Sequence, residues 1–109
     1  MVNTILTGAG FVLNKTYKET RFLRPPRETF AVYHDSYEAR GSDDKNLLEE
    51  HDISIELYEY TPDPDAEKRI ETELDTAGIE YTKEHRYWIQ EEQLYQVIYD
   101  FSYIQKRRI

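Results

Sequence analysis

Strict alternation is clearest between Asp52 and Tyr58, where Ile53, Ile55 and Leu57 point one way and Asp52, Ser54, Glu56 and Tyr58 the other. That is the pattern of a half-buried antiparallel strand. Leu94 to Ile104 alternates as well, with Tyr95, Val97, Tyr99, Phe101 and Tyr103 on one face and Leu94, Gln96, Ile98, Asp100 and Ser102 on the other. Phe30-Ala31-Val32-Tyr33-His34 predicts a further strand, and Phe11 to Phe22 a partly exposed one. Ile79 to Trp88 predicts a strand that pairs with the last one across the polar turn Gln90-Glu91-Glu92-Gln93. Pro25-Pro26 interrupts regular structure, because neither proline can donate to a ladder.

Two stretches follow the helical period instead. Ala66, Ile70, Leu74 and Ala77 mark a helix over 64–77, with Asp63 as its N-cap and Pro64 at the first helical position. Asp65 and Glu67 suit the positive end of its dipole, and Gly78 supplies the left-handed residue that ends it. Val2, Ile5, Leu6 and Ala9 give a helix of one or two turns that Gly8 and Gly10 stop early. Residues 35–50 are polar and acidic, hold Gly41-Ser42-Asp43-Asp44 and show no period, so they are expected to form a mobile acidic loop. The pattern as a whole predicts a single α+β domain over 1–109. Its core is a mainly antiparallel sheet of four to five strands, with one principal helix packed on it and a short N-terminal helix.

Composition narrows the function. No Cys is present among 109 residues, which removes disulfide scaffolds, thiolate metal sites and thiol catalysis. A charged fraction of 33 % is high, yet 10 Tyr and 4 Phe argue for a folded body and against disorder. No apolar run is long enough to span a bilayer, and Met1-Val2-Asn3-Thr4 lacks the features of a signal peptide, so the expectation is an intracellular, soluble chain.

The net charge of −8 is unevenly placed. Residues 1–34 carry five bases against two acids, residues 35–100 carry 20 acids against 6 bases, and Lys106-Arg107-Arg108 follow. So acidic a middle repels phosphate and opposes tight non-specific binding of nucleic acid. Enzyme signatures are missing: Gly8-Ala9-Gly10 is no phosphate loop, and none of Ser36, Ser42, Ser54 and Ser102 sits in a nucleophile elbow. His34, His51 and His85 form no paired ligand motif, although His34 and His51 could approach across strands near Asp35 or Asp52. Asp43, Asp44, Glu49 and Glu50 concentrate carboxylates without the alternation of a calcium loop. The expectation is a non-enzyme with no catalytic, cofactor-binding or metal residues and no cofactor.

The chain resembles the small tail-completion or tail-terminator (head-tail joining) proteins of long-tailed phages and prophages of Gram-positive bacteria. The likeness rests on Ile5-Leu6 before Gly10-Phe11, on Pro-Pro followed by Phe30-Ala31-Val32-Tyr33, and on Asp43-Asp44. It continues through Ile53-Ser54-Ile55-Glu56-Leu57-Tyr58, the Glu67-to-Leu74 helix with Gly78-Ile79-Glu80-Tyr81, and Leu94-Tyr95-Gln96-Val97-Ile98-Tyr99. The resemblance implies a virion structural protein that forms a closed ring of about six copies on the end of the tail tube. There it would stop polymerisation and join the tube to the head connector. Its partners would be itself, the major tail-tube protein and a connector or head-completion protein, with DNA passing unbound and no membrane involved. Its location would be the bacterial cytoplasm during assembly and then the virion tail.

Candidate assembly contacts are Asp43, Asp44, Glu49 and Glu50 in the acidic stretch, Tyr95, Tyr99 and Tyr103 on the aromatic strand, and Arg21, Arg24 and Arg27. Three other readings stay open. One is a small adaptor or regulatory module that binds a host protein through the aromatic strand. Another is a head-completion protein. The third is a metal-dependent enzyme built on the acidic stretch with His34 or His51.

Overall fold

A computed structural model gives the fold, described for residues 1–41 and 46–108 and, for side chains, 1–39 and 48–106. The elements in chain order are α1 (Val2–Gly8), β1 (Tyr17–Glu19), β2 (Phe30–Gly41), β3 (Asn46–Glu59), α2 (Pro64–Thr76), β4 (Thr82–Lys83), β5 (Tyr87–Ile89) and β6 (Leu94–Arg108). They build one six-stranded sheet in the order β1-β2-β3-β6-β4, with β5 also on β6. Every pairing is antiparallel except β1 with β2. This is the expected α+β architecture with one more strand than the alternation indicated.

The apolar halves of the alternating strands face the two helices. Ala31 and Tyr33 of β2, Ile53, Ile55 and Leu57 of β3, and Val97, Tyr99 and Phe101 of β6 meet Ile5 and Leu6 of α1 and Ala66, Ile70 and Leu74 of α2 in one core. Full burial of a Leu or Ile side chain stabilises by about 1.5–3 kcal/mol, so this layer holds the fold together. Helix α2 begins as its sequence requires: the Asp63 side chain accepts the Ala66 amide at 3.1 Å, and Pro64 opens the first turn. Thr29 Oγ1 donates to the second Asp63 oxygen at 2.6 Å, which ties the start of the helix to the residue before β2. Gly78 follows with a φ of 69°, the left-handed conformation that its lack of a Cβ permits. Arg69 Nε donates to the Ala9 carbonyl at 2.8 Å and so fastens α2 to the end of α1.

A second, smaller apolar cluster lies on the other face of the sheet. Phe30 stacks on Tyr58 at 5.1 Å between centroids and meets Phe22 edge-on at 5.6 Å. The 20–26 segment thus lies across that face, and the Tyr60 hydroxyl holds it by donating to the Pro26 carbonyl at 2.7 Å.

Three expectations are corrected. The stretch 11–22 yields only the three-residue β1, because Asn14 and Thr20 take φ values of 63° and 72° and turn the chain at either side. The predicted acidic loop is mostly hairpin: β2 and β3 stay in register from Phe30↔Tyr58 to Gly41↔Leu47. Its polar residues lack a period because this half of the hairpin runs past both helices, where neither face needs an apolar set. The predicted strand 79–88 is cut into β4 and β5: the Glu84 amide still donates to the Ile98 carbonyl at 2.9 Å, but residues 85 and 86 leave the ladder and Arg86 turns toward α2. Among the described residues no helix is long and apolar enough to cross a membrane.

The Asp63 cap is open to direct measurement. Asp63→Ala removes both the Ala66 and the Thr29 bonds and should destabilise the fold by about 1–2 kcal/mol in urea unfolding, with Thr29→Ala accounting for the smaller share. Equal stability of Asp63→Ala and the parent would mean that the helix start is held by Pro64 and packing alone.

Candidate functional site

Beyond the helices, β2, β3 and β6 continue as a three-stranded ribbon, paired as far as Gly41↔Leu47 on one side and Asn46↔Arg108 on the other. Strand β1 covers β2 only from Ala31 to Tyr33, and β4 and β5 cover β6 only up to Asp100. Among the described residues, His34–Gly41 and Phe101–Arg108 therefore carry no further strand. A sheet edge of this kind presents a row of backbone donors and acceptors ready to pair with another chain.

The inner face of the ribbon is organised by His51. Its ring is stacked between Tyr37 of β2, at 5.0 Å and 21°, and Tyr103 of β6, at 4.7 Å and 3°. Those two tyrosines are its direct cross-strand neighbours. In the ring plane, Nδ1 lies 2.8 and 3.1 Å from the two Asp35 oxygens, and Nε2 lies 3.0 Å from Glu49 Oε1. Burial disfavours the charged ring, but the hydrogen bonds to Asp35 and Glu49 outweigh it and raise the His51 pKa above its ordinary value.

The outer face of the same ribbon gathers acids around Glu38, Glu50 and Asp52, with the bases Arg40 and Lys106 following at the register positions beside Leu48. Glu38 stands directly opposite Glu50, a like-charge pair of the kind that weakens a sheet. Beside them Asp52 accepts from Ser102 Oγ at 2.5 Å. Nearer the body of the sheet, His34 Nε2 lies 3.2 Å from Glu56. Further along, a cavity of about 480 Å³ is walled by Phe22, Pro25, Phe30, Tyr58 and Leu94, with Arg21, Glu56 and Glu92 at its rim.

A separate polar network lies under α2. Glu59 at the end of β3 is fully buried; Arg86 Nε donates to its Oε1 at 3.2 Å, and no donor meets its Oε2 among the described residues. Arg86 also grips Glu67 at 2.7 Å, and Lys83 bridges Glu67 and Glu71 at 3.0 and 2.8 Å. Burial, then the adjoining Glu67 carboxylate, push Glu59 up to about 7. Glu67 is lowered despite its burial, because Glu59, Arg86 and Lys83 all hydrogen-bond its charged form.

The predicted contact residues are scattered over this framework. Arg21, Arg24 and Arg27 are exposed on the connection between β1 and β2. Asp43 and Asp44 lie outside the described residues. Glu49 and Glu50 occupy opposite faces: the first is buried against His51, the second is half-buried on the acidic outer face. The three tyrosines share a face but not a role. Tyr99 is fully buried, with its hydroxyl donating to Glu71 Oε2 at 2.7 Å, so its ring belongs to the core and offers nothing to a second subunit. Tyr95 is half-buried beside Trp88 at 4.8 Å, and Tyr103 covers His51.

His34 and His51 do not approach each other, since they project from opposite faces. Among the described residues no group of three or more His, Asp or Glu side chains is arranged to hold a metal ion; in the Asp35–His51–Glu49 row each ring nitrogen already faces a carboxylate. The Glu59–Glu67–Arg86 network went unpredicted. Its one legible trace is Glu59 continuing the inward series Ile53, Ile55, Leu57, which puts a carboxylate on the core side.

The buried acid gives a pH dependence of definite sign. Glu59 binds its proton more tightly folded than unfolded, so its contribution is complete below the ordinary carboxylate pKa and is lost as the pH rises through about 7. Glu59→Gln should therefore raise the melting temperature at pH 8–9 by the equivalent of about 1–3 kcal/mol and leave it nearly unchanged at pH 5. A variant less stable than the parent at both pH values would show that the Arg86 contact outweighs the buried charge. No known family model matches the chain, and a search of curated proteins gives no match either.

Proposed function

We propose that this chain is a structural protein of a phage or prophage virion, a tail terminator that forms a ring on the end of the tail tube and joins it to the head connector. The observation that supports this reading is the ribbon with an open edge on each side. Both edge strands are antiparallel to β3 and hence parallel to each other. Copies arranged by rotation about an axis along the ribbon would set β6 of one beside β2 of the next, in parallel. Such a contact joins unlike surfaces, and it closes into a ring of about six when the rotation per copy fits.

Charge favours the same arrangement. The open β2 edge carries Glu38 and Arg40, with Asp35 engaged by His51, whereas the β6 edge ends in three bases, Lys106-Arg107-Arg108, so Glu38 is the acid on β2 that can meet them. The acidic outer face with Glu38, Glu50 and Asp52 suits a lumen that DNA passes without sticking. Arg21, Arg24 and Arg27, exposed and away from the ribbon edges, are the candidate contacts for the tube.

Size exclusion with light scattering over a wide concentration range, with and without the encoded major tail-tube protein, tests the reading. A closed oligomer near six copies is expected, alone or on the tube. Glu38→Lys and Lys106→Glu should each weaken association up to about fivefold per contact, as expected for an exposed ion pair, and the double variant should recover most of it. Tube length that stays the same when the protein is added to an extension reaction would sink the terminator assignment.

A further inference from the structure

His51 is held in a geometry that a neutral imidazole does not satisfy. A neutral ring has one N–H and one lone pair, and either tautomer leaves the lone pair facing a carboxylate. Here Nδ1 meets Asp35 at 2.8 and 3.1 Å while Nε2 meets Glu49 at 3.0 Å, so only the doubly protonated ring donates at both ends. The faces are equally committed. Tyr37 and Tyr103 lie flat against them, and a cation between two phenol rings gains from both quadrupoles.

We propose that the proton on His51 is a pin that holds the end of the β2–β3–β6 ribbon together, and that its loss above neutral pH loosens that end while the helix-covered half stays closed. The geometry supplies the reason. His51 belongs to the middle strand, Asp35 and Tyr37 reach it from β2, Tyr103 from β6, and Glu49 from two residues earlier on β3. These are the titratable groups that face it among the described residues. Without the proton, two carboxylates remain beside a ring that can donate to only one of them. The cross-strand bond to Asp35 and the charge component of both stacks weaken together.

The shift of His51 agrees in sign. Its pKa is raised in the fold, so the added stability is complete below the ordinary value of about 6.5 and disappears as the pH rises through the folded pKa. Tyr103 moves the other way from ionisation: burial, then Asp35 and Glu49, raise its pKa, which keeps the phenol neutral while His51 titrates. The pin is a property of the single chain and stands independently of the ring proposed above. It is therefore measured on the dilute protein.

The test combines an NMR titration of the His51 ring with hydrogen exchange corrected for intrinsic rates. His51 should titrate above about 6.5, and Asp35→Asn or Glu49→Gln should each lower its pKa by about one unit, equivalent to tenfold in proton affinity. Between pH 6 and pH 9, amides at 49–53 and 101–105 should lose protection about tenfold, while those at 55–57 and 97–99 keep theirs. His51→Phe retains an aromatic ring in the stack and should abolish the pH dependence of the ribbon amides. A His51 pKa at or below the free value overturns the proposal. So does ribbon exchange that is indifferent to pH in the parent, or that responds to pH equally in His51→Phe. If His51→Phe fails to fold, Asp35→Asn carries the test by another readout: the midpoint of the ribbon amides' pH response should fall by about one unit with the His51 pKa, and an unmoved midpoint overturns the proposal.

Discussion

Strand β3 is paired along both sides over nearly its whole length, with β2 from Gly41↔Leu47 to Phe30↔Tyr58 and with β6 from Asn46↔Arg108 to Glu59↔Tyr95. Everything else is placed by that double pairing. It sets Ile53, Ile55 and Leu57 opposite Tyr33, Phe101, Tyr99 and Val97, so that one face of the sheet becomes a single apolar floor for α1 and α2. A slip of one residue on either side would turn this floor to solvent, which is why the register in the helix-covered half is so firmly specified. The earlier part of the same strand lies beyond the shelter of the helices, and from His51 back toward Glu49 a charged, stacked cluster takes over from hydrophobic packing.

Two polar devices occupy the ends of the inner face, and they have opposite electrostatic characters. At the far end, His51 is surrounded by Asp35 and Glu49 and holds its proton more firmly than a free imidazole. At the near end, Glu59 also holds its proton more firmly than usual, because burial and then the adjoining Glu67 carboxylate disfavour its charged form. Arg86 makes the second arrangement tolerable by donating to both carboxylates. That demand explains the break between β4 and β5: a continuous strand from 82 to 89 would keep Arg86 in the ladder instead of under α2. The interruption is thus the local expense of bringing a guanidinium to a buried acid pair.

Sequence pattern revealed what burial imposes and missed what polar contacts impose. Helix α2, its Asp63 cap and its Gly78 terminus, the alternation of β3 and that of β6 could all be read directly, because each follows from apolar spacing or from the chemistry of a helix end. The ribbon half of the hairpin was hidden, since two polar faces leave no period to detect. The parallel β1–β2 pair was hidden as well; three residues between two left-handed turns give no pattern. Of the candidate contacts, Tyr99 was misplaced because alternation tells which face a residue occupies and not whether that face lies under a helix. Glu49 and Glu50 were grouped as neighbours in sequence, although adjacent strand residues necessarily part company. His51 was expected to approach His34 across adjacent strands near Asp35 or Asp52; Asp35 is a partner, but His34 lies on the opposite face, and Glu49, Tyr37 and Tyr103 required the register.

The molecule extends 50 Å along its longest axis and 22 Å along its shortest. The ladder bonds of antiparallel strands run perpendicular to the strands they join. A load applied along the strands, drawing β3 against its neighbours, would therefore stress many rungs at once. A load applied sideways at the far end of the ribbon would meet them singly, with the stack of Tyr37, His51 and Tyr103 as a substantial obstacle. The protein is accordingly built to be mechanically anisotropic, stiff lengthwise and yielding across, with the stacked imidazole marking the point where peeling must stop or pass into the core.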